Sequence, residues 1–552
     1  MLDTPPKSSL AGKPEMPSSM PSDNSNILDD DNNISSACSL THQAGTPQPA
    51  TEESLEARIK RLGSERPPAF SSTWHEAAFV YSIVMSQFMA EYFVSGFTLI
   101  LPTLIRELEI PQAAAVWPAS AFSLAIASTL LIFGRLGDMW AGYPVYLGGL
   151  TWLLLWSIIA GFSINPIMLD VCRALQGLGA AAALPTGIML MGSQYRPGPR
   201  KNLVFAIYGT SGVLGFFGGI LLAGVVGQFL HWGFYFWIGA MLTGTVLVTS
   251  VFSIPHPPIL RIRAIGVSMD YLGAISIASG LTLTVFSITQ SAHAPQGWQT
   301  PYIPVCFALG IVSLLFAAYI ETSVSPQPLL PPSIVMIPSM TPLLLSILIL
   351  YGCWGIFSVY GTLFFQNIWS ISPLQIAVWY IPLGVAGIIL SVIEGFILHL
   401  VPGRILLIIG ALGAVVSQLL LALVPLEGWN YWAWIFPATV CSTIGIDLPT
   451  ILMTVFITTK LPKAQQGLAG GLLNSVLQLG VALTLGITDI IQVATVGKDG
   501  LASSYKYTFW FGVSAAAVSV LLVTFWGDVP KATSDLTADE RLELIRAAGG
   551  GE

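Results

Sequence analysis

Fourteen long apolar stretches alternate with short polar connectors between Ala77 and Trp526. Each stretch is about 20 residues long, which is the length that crosses the hydrocarbon core of a bilayer as a helix. Only a helix satisfies its own backbone hydrogen bonds in lipid, so the pattern predicts transmembrane helices. The predicted spans are 77–101, 113–133, 145–163, 167–190, 203–226, 232–253, 270–290, 302–320, 341–365, 374–398, 404–424, 432–459, 467–490 and 507–526.

The composition agrees with this pattern, because the 552 residues are 54% hydrophobic and only 9% charged. That balance excludes an ordinary water-soluble enzyme and predicts an integral protein of the lipid bilayer. No stripe of basic residues indicates nucleic acid. The five cysteines form no CxxC pair, so we expect no metal site. No phosphate-binding loop and no nucleophile with its base is present either, so we expect no cofactor, no catalytic residues and no enzyme activity.

The two ends of the chain are polar. Residues 1–73 are rich in Ser, Pro, Asn and Asp and predict a disordered tail, and residues 527–552 are similar. Basic residues outside the tails favour the connectors on the side of the amino terminus. By the positive-inside rule, both termini are then cytosolic. The basic residues assigned to the inner side are Arg135, Arg196, Arg200, Lys201, Arg261, Arg263, Arg404, Lys460 and Lys463, against Arg106, Lys498 and Lys506 on the outer side.

Charged residues inside the spans are costly in lipid and therefore mark candidate functional sites. Glu91 lies in the middle of the first span, Asp447 lies near the centre of the twelfth, and Asp170 and Arg173 lie early in the fourth. Asp170 and Arg173 are three residues apart on one helix face, so we expect an ion pair. Glu91 and Asp447 have no basic neighbour one turn away, as expected of carboxyl groups that couple protons. Because Glu91 and Arg173 lie at similar depth, we also predict that they meet in one conformation.

Three further acids lie closer to span ends. For Glu394 and Asp489 we expect interfacial positions, because a carboxylate there reaches the headgroup region. Asp270 opens the seventh span, where an acid suits the amino terminus of a helix.

Four sequence motifs carry a family resemblance. The chain reads GRLGDMWAGYP from residue 134, RALQGLGAA from residue 173, VLGFFGGILLAG from residue 213 and GIDLPTILM from residue 445. In this order on these spans, the motifs resemble the major facilitator superfamily. More narrowly, the chain is similar to fungal fourteen-spanner drug:proton antiporters of the aminotriazole-resistance branch.

The resemblance implies an all-α membrane protein with the major facilitator fold, in which two six-helix bundles and two inserted helices make fourteen transmembrane helices. The bundles alternately open a shared cavity to each side of the membrane. It also implies a monomer that works with a small-molecule substrate and protons. The expected segments are a cytosolic tail (1–73), the first bundle (74–254), a loop with helices 7 and 8 (255–335), the second bundle (336–526) and a second tail (527–552).

The resemblance further implies roles for single residues. Asp138 corresponds to the loop acid that latches the bundles in one state, and Gly134 permits a close approach at that corner. Arg173, with Gln176 and Gly177, corresponds to a motif of the fourth span linked to proton coupling.

Two more motifs concern the fifth and twelfth spans. The glycine-rich motif of the fifth span permits tight packing on a partner helix. Asp447 corresponds to the acid of the GxD stretch, on a helix expected to line the cavity. The glycines that correspond to the motif of the fifth span are Gly215, Gly218 and Gly219.

The leading hypothesis is a secondary active transporter that exports small amphipathic compounds, such as drugs, toxins or secondary metabolites, in exchange for protons. One alternative is an importer or facilitator of a small polar solute, and another is a transporter-like sensor that does not transport. We expect the plasma membrane as its location, with the vacuolar membrane as the alternative. The aromatic residues proposed to contact the substrate are Phe88, Tyr92, Tyr360, Phe364 and Trp379.

Overall fold

The computed structural model describes residues 65–110, 116–140, 142–195, 199–255, 268–398, 400–460 and 466–529. Within these ranges every long segment is helical and no β-strand is present, which confirms the predicted fold class. The two predicted tails lie outside the described residues, except for 65–73 and 527–529.

Fourteen helices of the described residues correspond one by one to the predicted spans. The stretches that contain them are long and apolar enough to cross a membrane, as the sequence pattern indicated. The bounds are α1 Thr73–Glu107, α2 Trp117–Met139, α3 Tyr143–Ala160, α4 Pro166–Gln194, α5 Pro199–Phe229, α6 Gly233–Ser253, α7 Tyr271–Ser291, α8 Tyr302–Val324, α9 Met340–Asn367, α10 Pro373–Trp379 continued by Ile381–Ile397, α11 Gly403–Leu423, α12 Tyr431–Ile435 continued by Phe436–Lys460, α13 466–499 and α14 501–526.

The last two helices meet at a single residue. The segment Gln466–Trp526 is helical except at Gly500, whose φ of 82° and ψ of 167° belong to a region that only glycine adopts without strain. The predicted connector at 491–506 is therefore wrong, because those residues continue the two helices up to Gly500.

Polar side chains cap the amino termini of several helices. Asp270 accepts a hydrogen bond from the backbone of Gly273 at 2.8 Å, which confirms its predicted role at the start of α7. Asn165 caps α4 in the same way through Met168, also at 2.8 Å. Such caps satisfy amide groups that the first turn of a helix leaves without partners.

The helices form two bundles with a pair between them. In the first bundle α1 packs on α5 and α6, and α4 packs on α2 and α3. In the second, α11 packs on α12, and α10 also packs on α12. The inserted helices α7 and α8 pack on each other, and α7 also contacts α2 of the first bundle. We call the end of the molecule where α1 begins the tail side, and the end where α1 finishes the far side.

The glycines of α5 allow this helix to approach α1 closely. A Cβ atom added at Gly218 would lie 2.8 Å from the ring of Phe88, and one added at Gly219 would lie 2.7 Å from the carbonyl oxygen of Tyr92. At Gly215 an added Cβ would lie 2.7 Å from the Cα of Phe88. Gly215 and Gly219 therefore require glycine for this packing, because an added Cβ atom meets backbone atoms of α1, whereas at Gly218 it meets only the Phe88 ring.

The close approach near the loop after α2 involves Gly137 and not Gly134. A Cβ atom at Gly137 would lie 2.6 Å from the Thr186 side chain. At Gly134 it would lie 3.6 Å from Pro185, an ordinary van der Waals distance. The role predicted for Gly134 is therefore wrong in this conformation, because the glycine that faces the Thr186 side chain of α4 is Gly137, one turn later.

We expect Gly219→Ala to destabilise the protein, because the added methyl group meets backbone atoms of α1 that cannot move aside. Overpacking of this kind costs about 1–3 kcal/mol of unfolding free energy. Thermal unfolding of the purified protein in detergent measures the effect. The matched control is Gly209→Ala on the same helix, where an added Cβ has no atom within 4 Å. Equal unfolding temperatures for the two variants would contradict the packing argument.

Candidate functional site

A narrow cavity lies between the two bundles at the middle of the molecule. Helices α1, α2 and α4 line it from the first bundle, and α9 and α13 line it from the second. Its charged residues are Glu91 and Arg173, and its aromatic residues are Tyr351 and Trp354. The remaining lining residues are Val94, Thr98, Ala119, Ser123, Gly355, Ser358, Val359, Gln478, Val481 and Leu485.

Arg173 is almost fully buried in the wall of this cavity, with 1% of its surface exposed. Its Nε donates to the carbonyl oxygen of Pro118 at 3.1 Å, and its Nη2 donates to that of Phe93 at 3.0 Å. Its Nη1 donates to Gln176 Oε1 at 3.3 Å, and Gln176 in turn donates to Ser157 Oγ at 2.8 Å. Arg173 therefore joins α4 to both α1 and α2.

Aromatic rings hold the same guanidinium group in place. Its central carbon lies 4.2 Å from the ring centre of Phe97 and 4.3 Å from that of Phe122, within the range of cation–π attraction. No ion pair joins Arg173 to Asp170, whose buried Oδ1 has no hydrogen-bond partner in the described part of the chain. The predicted pair is wrong in this conformation, because the guanidinium group turns toward the carbonyls and rings of α1 and α2.

Gly177 shows why Arg173 reaches α2 so closely. An added Cβ atom at Gly177 would lie 2.6 Å from the carbonyl oxygen of Phe122 and 2.8 Å from the Cβ of Ala125. The small residue thus lets the motif of the fourth span pack its helix against α2.

Glu91 faces the cavity from the first bundle. Its Oε1 accepts a 3.4 Å hydrogen bond from Gln87 Nε2, and Gln87 Oε1 accepts one of 2.9 Å from the hydroxyl of Tyr208. Glu91 and Arg173 both line the cavity but form no ion pair here. Their contact in another conformation stays a prediction.

Asp447 lies beside the cavity, in the contact between α12 and α10. Its Oδ2 is buried and has no hydrogen-bond partner among the residues that the structure describes, and a Cβ atom added at Gly387 would lie 3.2 Å from it. The same added Cβ atom would lie 3.0 Å from Val213 Cγ1 of α5. Asp447 is therefore placed near the seam between the two bundles, although it is not among the residues that line the cavity.

Glu394 and Asp489 do not reach an interface, so the positions predicted for them are wrong. Glu394 is 2% exposed, and within the described ranges neither of its carboxyl oxygens has a hydrogen-bond partner. Asp489 is 1% exposed and pairs with His293. Their positions close to the ends of spans predicted exposure to the headgroup region. Both side chains instead lie on helix faces that pack against other helices. For Glu394 a signal exists in the sequence, since Gly387 precedes it by two turns on the same face.

The last turns of α2 make their contacts with the inserted helices through Arg135. Its Nη2 donates to Gln327 Oε1 at 2.6 Å, and its Nε donates to the carbonyl oxygen of Ser268 at 3.1 Å. These residues flank the inserted helices on the tail side. Asp138 is exposed, and its predicted role as a latch stays a prediction.

The five aromatic candidates lie outside the cavity lining in this conformation. Phe88 and Tyr92 take part in the packing of α1, where the hydroxyl of Tyr92 donates to the carbonyl oxygen of Tyr235 at 2.8 Å. The other three are buried among aromatic rings of the second bundle, and they are Tyr360, Phe364 and Trp379.

The aromatic residues that do line the cavity were not among the predicted ones. Tyr351 and Trp354 are three residues apart on α9, and Gly355 and Ser358 follow on the same face. This spacing of small and polar residues within an apolar helix is a signal of an inward face.

The comparisons with known proteins agree with this architecture. A family model described as "Major Facilitator Superfamily" matches residues 83–485. The chain belongs to the major facilitator superfamily. Major facilitators are transporters rather than enzymes and bind small-molecule substrates. Among the described residues of this transporter, no group of three or more His, Cys, Asp or Glu is placed to hold a metal ion.

The transporters similar to this chain carry names that refer to different functions. The chain is 31% identical to the "Low affinity ammonium transporter" of Saccharomyces cerevisiae, over 74% of this chain and 79% of that protein. It is 28% identical to the "Efflux pump terJ" of Aspergillus terreus, over 84% and 90%. The "Aminotriazole resistance protein" of Saccharomyces cerevisiae is 27% identical over 89% and 90%.

A solved structure supports the fold alone. A peptide transporter POT in complex with sulfate aligns with a TM-score of 0.61 at 16% identity, covering 86% of this chain and 99% of that one. The shared fold consists of two helical bundles with the central cavity between them.

Proposed function

We propose that this major facilitator exports small amphipathic organic compounds in exchange for protons, by alternating access. One observation carries the proposal: Glu91 of the first bundle and the aromatic pair Tyr351 and Trp354 of the second line one cavity, beside the fixed cation Arg173. Aromatic walls suit an amphipathic cargo, and an acid with no basic partner suits proton coupling. The efflux pumps among its relatives support the same direction of transport.

Alternating access requires contacts between the bundles that separate and form again. On the far side, Gln366 Nε2 of α9 donates to the carbonyl oxygen of Leu99 of α1 at 3.1 Å. There a Cβ atom added at Gly224 of α5 would lie 2.8 Å from the Cβ of Ala377 of α10. These contacts join the bundles at the far-side end of the cavity. In the proposed mechanism they separate when the cavity opens to that side.

We place the tail side in the cytosol and the far side outside it, following the distribution of basic residues. Four of the basic residues that the sequence assigns to the inner side lie outside the described residues, namely Arg196, Arg261, Arg263 and Lys463. We further propose a monomer in the plasma membrane, with the vacuolar membrane as the alternative.

Protons act in this proposal through carboxyl groups at the seam. A carboxyl group without a basic partner changes its contacts when it gains or loses a proton, because its charged form must be paired or hydrated. Glu91 lies on one side of α5, facing Gly212, and Asp447 lies on the other side, near Val213. A proton bound at either acid would therefore change contacts between the bundles.

We expect Asp447→Asn to lose proton-driven export, because the amide keeps the size of the side chain but binds no proton. Wild type and variant are expressed in a toxin-hypersensitive host without its own exporters, and accumulation of a panel of amphipathic compounds is measured with and without a proton gradient. The matched control is Asp499→Asn at the exposed end of α13. Equal export by Asp447→Asn at every pH would refute its role. A wild type that exports no compound would refute the exporter.

A second candidate function is the movement of a small cation such as ammonium. It is favoured by the carboxyl group of Glu91 in a cavity with the rings of Tyr351 and Trp354, since carboxylates and aromatic faces both attract cations. The ammonium transporter among the relatives supports it. Ammonium-limited growth of a host without ammonium transporters tests this candidate. Measured flux of either cargo would exclude the transporter-like sensor.

A further inference from the structure

The connector after α7 carries a buried histidine that pairs with the second bundle. His293 Nε2 lies 2.6 Å from Asp489 Oδ2 of α13, and the two side chains are 8% and 1% exposed. By hydrogen-bond geometry, neither ring nitrogen of His293 and neither carboxyl oxygen of Asp489 has a partner among the described residues, so the contact is an ion-pair approach. We call these two residues the His–Asp pair. A histidine and a carboxyl group are thus buried within ion-pair distance of each other, inside the protein rather than at its surface.

The His–Asp pair lies directly beyond the central cavity on the far side. Asp489 follows Leu485 by one helical turn, and Leu485 lines the cavity. From α9, Tyr360 interacts electrostatically with Asp489, and its neighbour Val359 lines the cavity. The pair therefore stands between the cavity and the far end of the molecule.

The surroundings of the pair contain few other groups that titrate. In the described part of the chain these are Tyr360 of α9 and, behind it, Tyr505 of α14, whose ring centre lies 6.4 Å from that of Tyr360. From α2, Trp117 Nε1 donates to Gln290 Oε1 of α7 at 3.1 Å, and neither of these side chains titrates. On the side of the second bundle, the pair is thus a place near the far side of the cavity where protons can bind; on the side of the first bundle, Asp170 of α4 lies one turn before Arg173.

We propose that the His–Asp pair is a proton-binding site on the route between the far side and the central cavity. This inference rests on the proposed proton coupling. The attraction within the pair is strongest when the imidazole is protonated and the carboxyl group is not. Loss of the imidazole proton weakens it, and so does protonation of the carboxyl group. Each change loosens the far end of α7 from α13, one turn away from the cavity.

The proposal gives the inserted helices a role in coupling. On the tail side, Arg135 of the first bundle binds Gln327, which follows the inserted helices in the chain. On the far side, His293 at the end of α7 pairs with Asp489 of the second bundle. A movement of one bundle against the other therefore strains one of the two attachments. Protonation of the pair decides whether the far-side attachment is strong.

The first test measures proton binding in the purified full-length protein reconstituted in lipid, by infrared difference spectroscopy between about pH 5 and 8. We expect a carboxyl band and an imidazole band that change with pH together. The carboxyl band disappears in Asp489→Asn, and the imidazole band disappears in His293→Gln. If the wild type shows no pH-dependent band that either variant removes, the pair does not bind protons and the proposal is overturned.

The second test measures transport of the amphipathic dye rhodamine 6G in proteoliposomes, once driven by a pH gradient and once as exchange without a gradient. His293→Gln keeps an amide that can bond to Asp489 but does not titrate. We expect gradient-driven transport to fall about tenfold or more, with a smaller effect on exchange. If the pair is only a structural tether, His293→Gln matches the wild type and His293→Ala does not, and the proposal is overturned.

The matched control is an exposed pair on the same side of the molecule. His231 Nε2 lies 3.7 Å from Glu107 Oε2, and the side chains are 53% and 46% exposed. His231→Gln should leave the infrared bands and the driven transport as in the wild type. A wild type that moves the dye but ignores the pH gradient would refute the proposed proton coupling, while the infrared bands would still show whether the pair binds protons.

Discussion

Replacing Arg173 with lysine is expected to abolish transport and to lower the unfolding temperature. The guanidinium group donates at once to carbonyls of two neighbouring helices, those of Phe93 in α1 and Pro118 in α2, and lies between two aromatic rings. A lysine ammonium group has no planar fork and cannot reproduce both bonds in that space. Each bond lost from a charged donor costs about 1.5–3 kcal/mol.

The measurement pairs transport with thermal unfolding, both on protein purified from the membrane fraction. Arg106→Lys is the matched control, because Arg106 is exposed at the far end of α1. Arg173→Met tests the charge separately, since it keeps much of the side-chain length. Full activity in Arg173→Lys would show that a positive charge at this position is sufficient for transport. The hydrogen bonds to the two carbonyl oxygens and the contacts with the two rings would then matter little.

The helices themselves could be predicted from sequence because hydrophobic length is a property of the chain alone. Predicted and observed bounds differ mostly by a few residues, as for α7, predicted at 270–290 and found at Tyr271–Ser291. The larger difference at the last connector has a physical reason. Residues 491–499 contain no proline, so nothing in them stops the helix before Gly500.

The direction in which a residue faces could not be predicted in the same way. A helix that is apolar on every side gives little sign of which face meets lipid, cavity or another helix. Glu394 was therefore assigned to an interface from its distance to the helix end, although its face packs inside the second bundle. Tyr92 and Tyr351 show the same problem, because both are aromatic residues in mid-helix and only Tyr351 reaches the cavity.

Residues in connectors were the hardest to assign. His293 lies in a polar segment that gives no sign of burial, and its importance depends on Asp489, almost two hundred residues later in the chain. Only the packing of α7 on the second bundle brings them together. By contrast, Gly177 and Arg173 were found through a local motif, because the close contact of α4 with α2 depends on residues one turn apart.

The second large effect is expected for Glu91→Gln, which should reduce gradient-driven transport on the order of a hundredfold. The amide keeps the size of the side chain and its contact with Gln87, but it binds no proton. The measurement is dye accumulation in proteoliposomes with an imposed pH gradient. The matched control is Glu107→Gln at the exposed end of the same helix.

Exchange without a gradient then decides what Glu91 does. If exchange by Glu91→Gln continues while driven transport is lost, the carboxyl group carries the proton, and the exporter gains support. If exchange of a cationic cargo by Glu91→Gln becomes weak and its KM for that cargo rises, Glu91 binds the cargo itself. Removal of a charge that pairs with the cargo weakens ground-state binding. Driven transport equal to the wild type would contradict both roles. It would leave Asp447 and the His–Asp pair as the acids through which protons act.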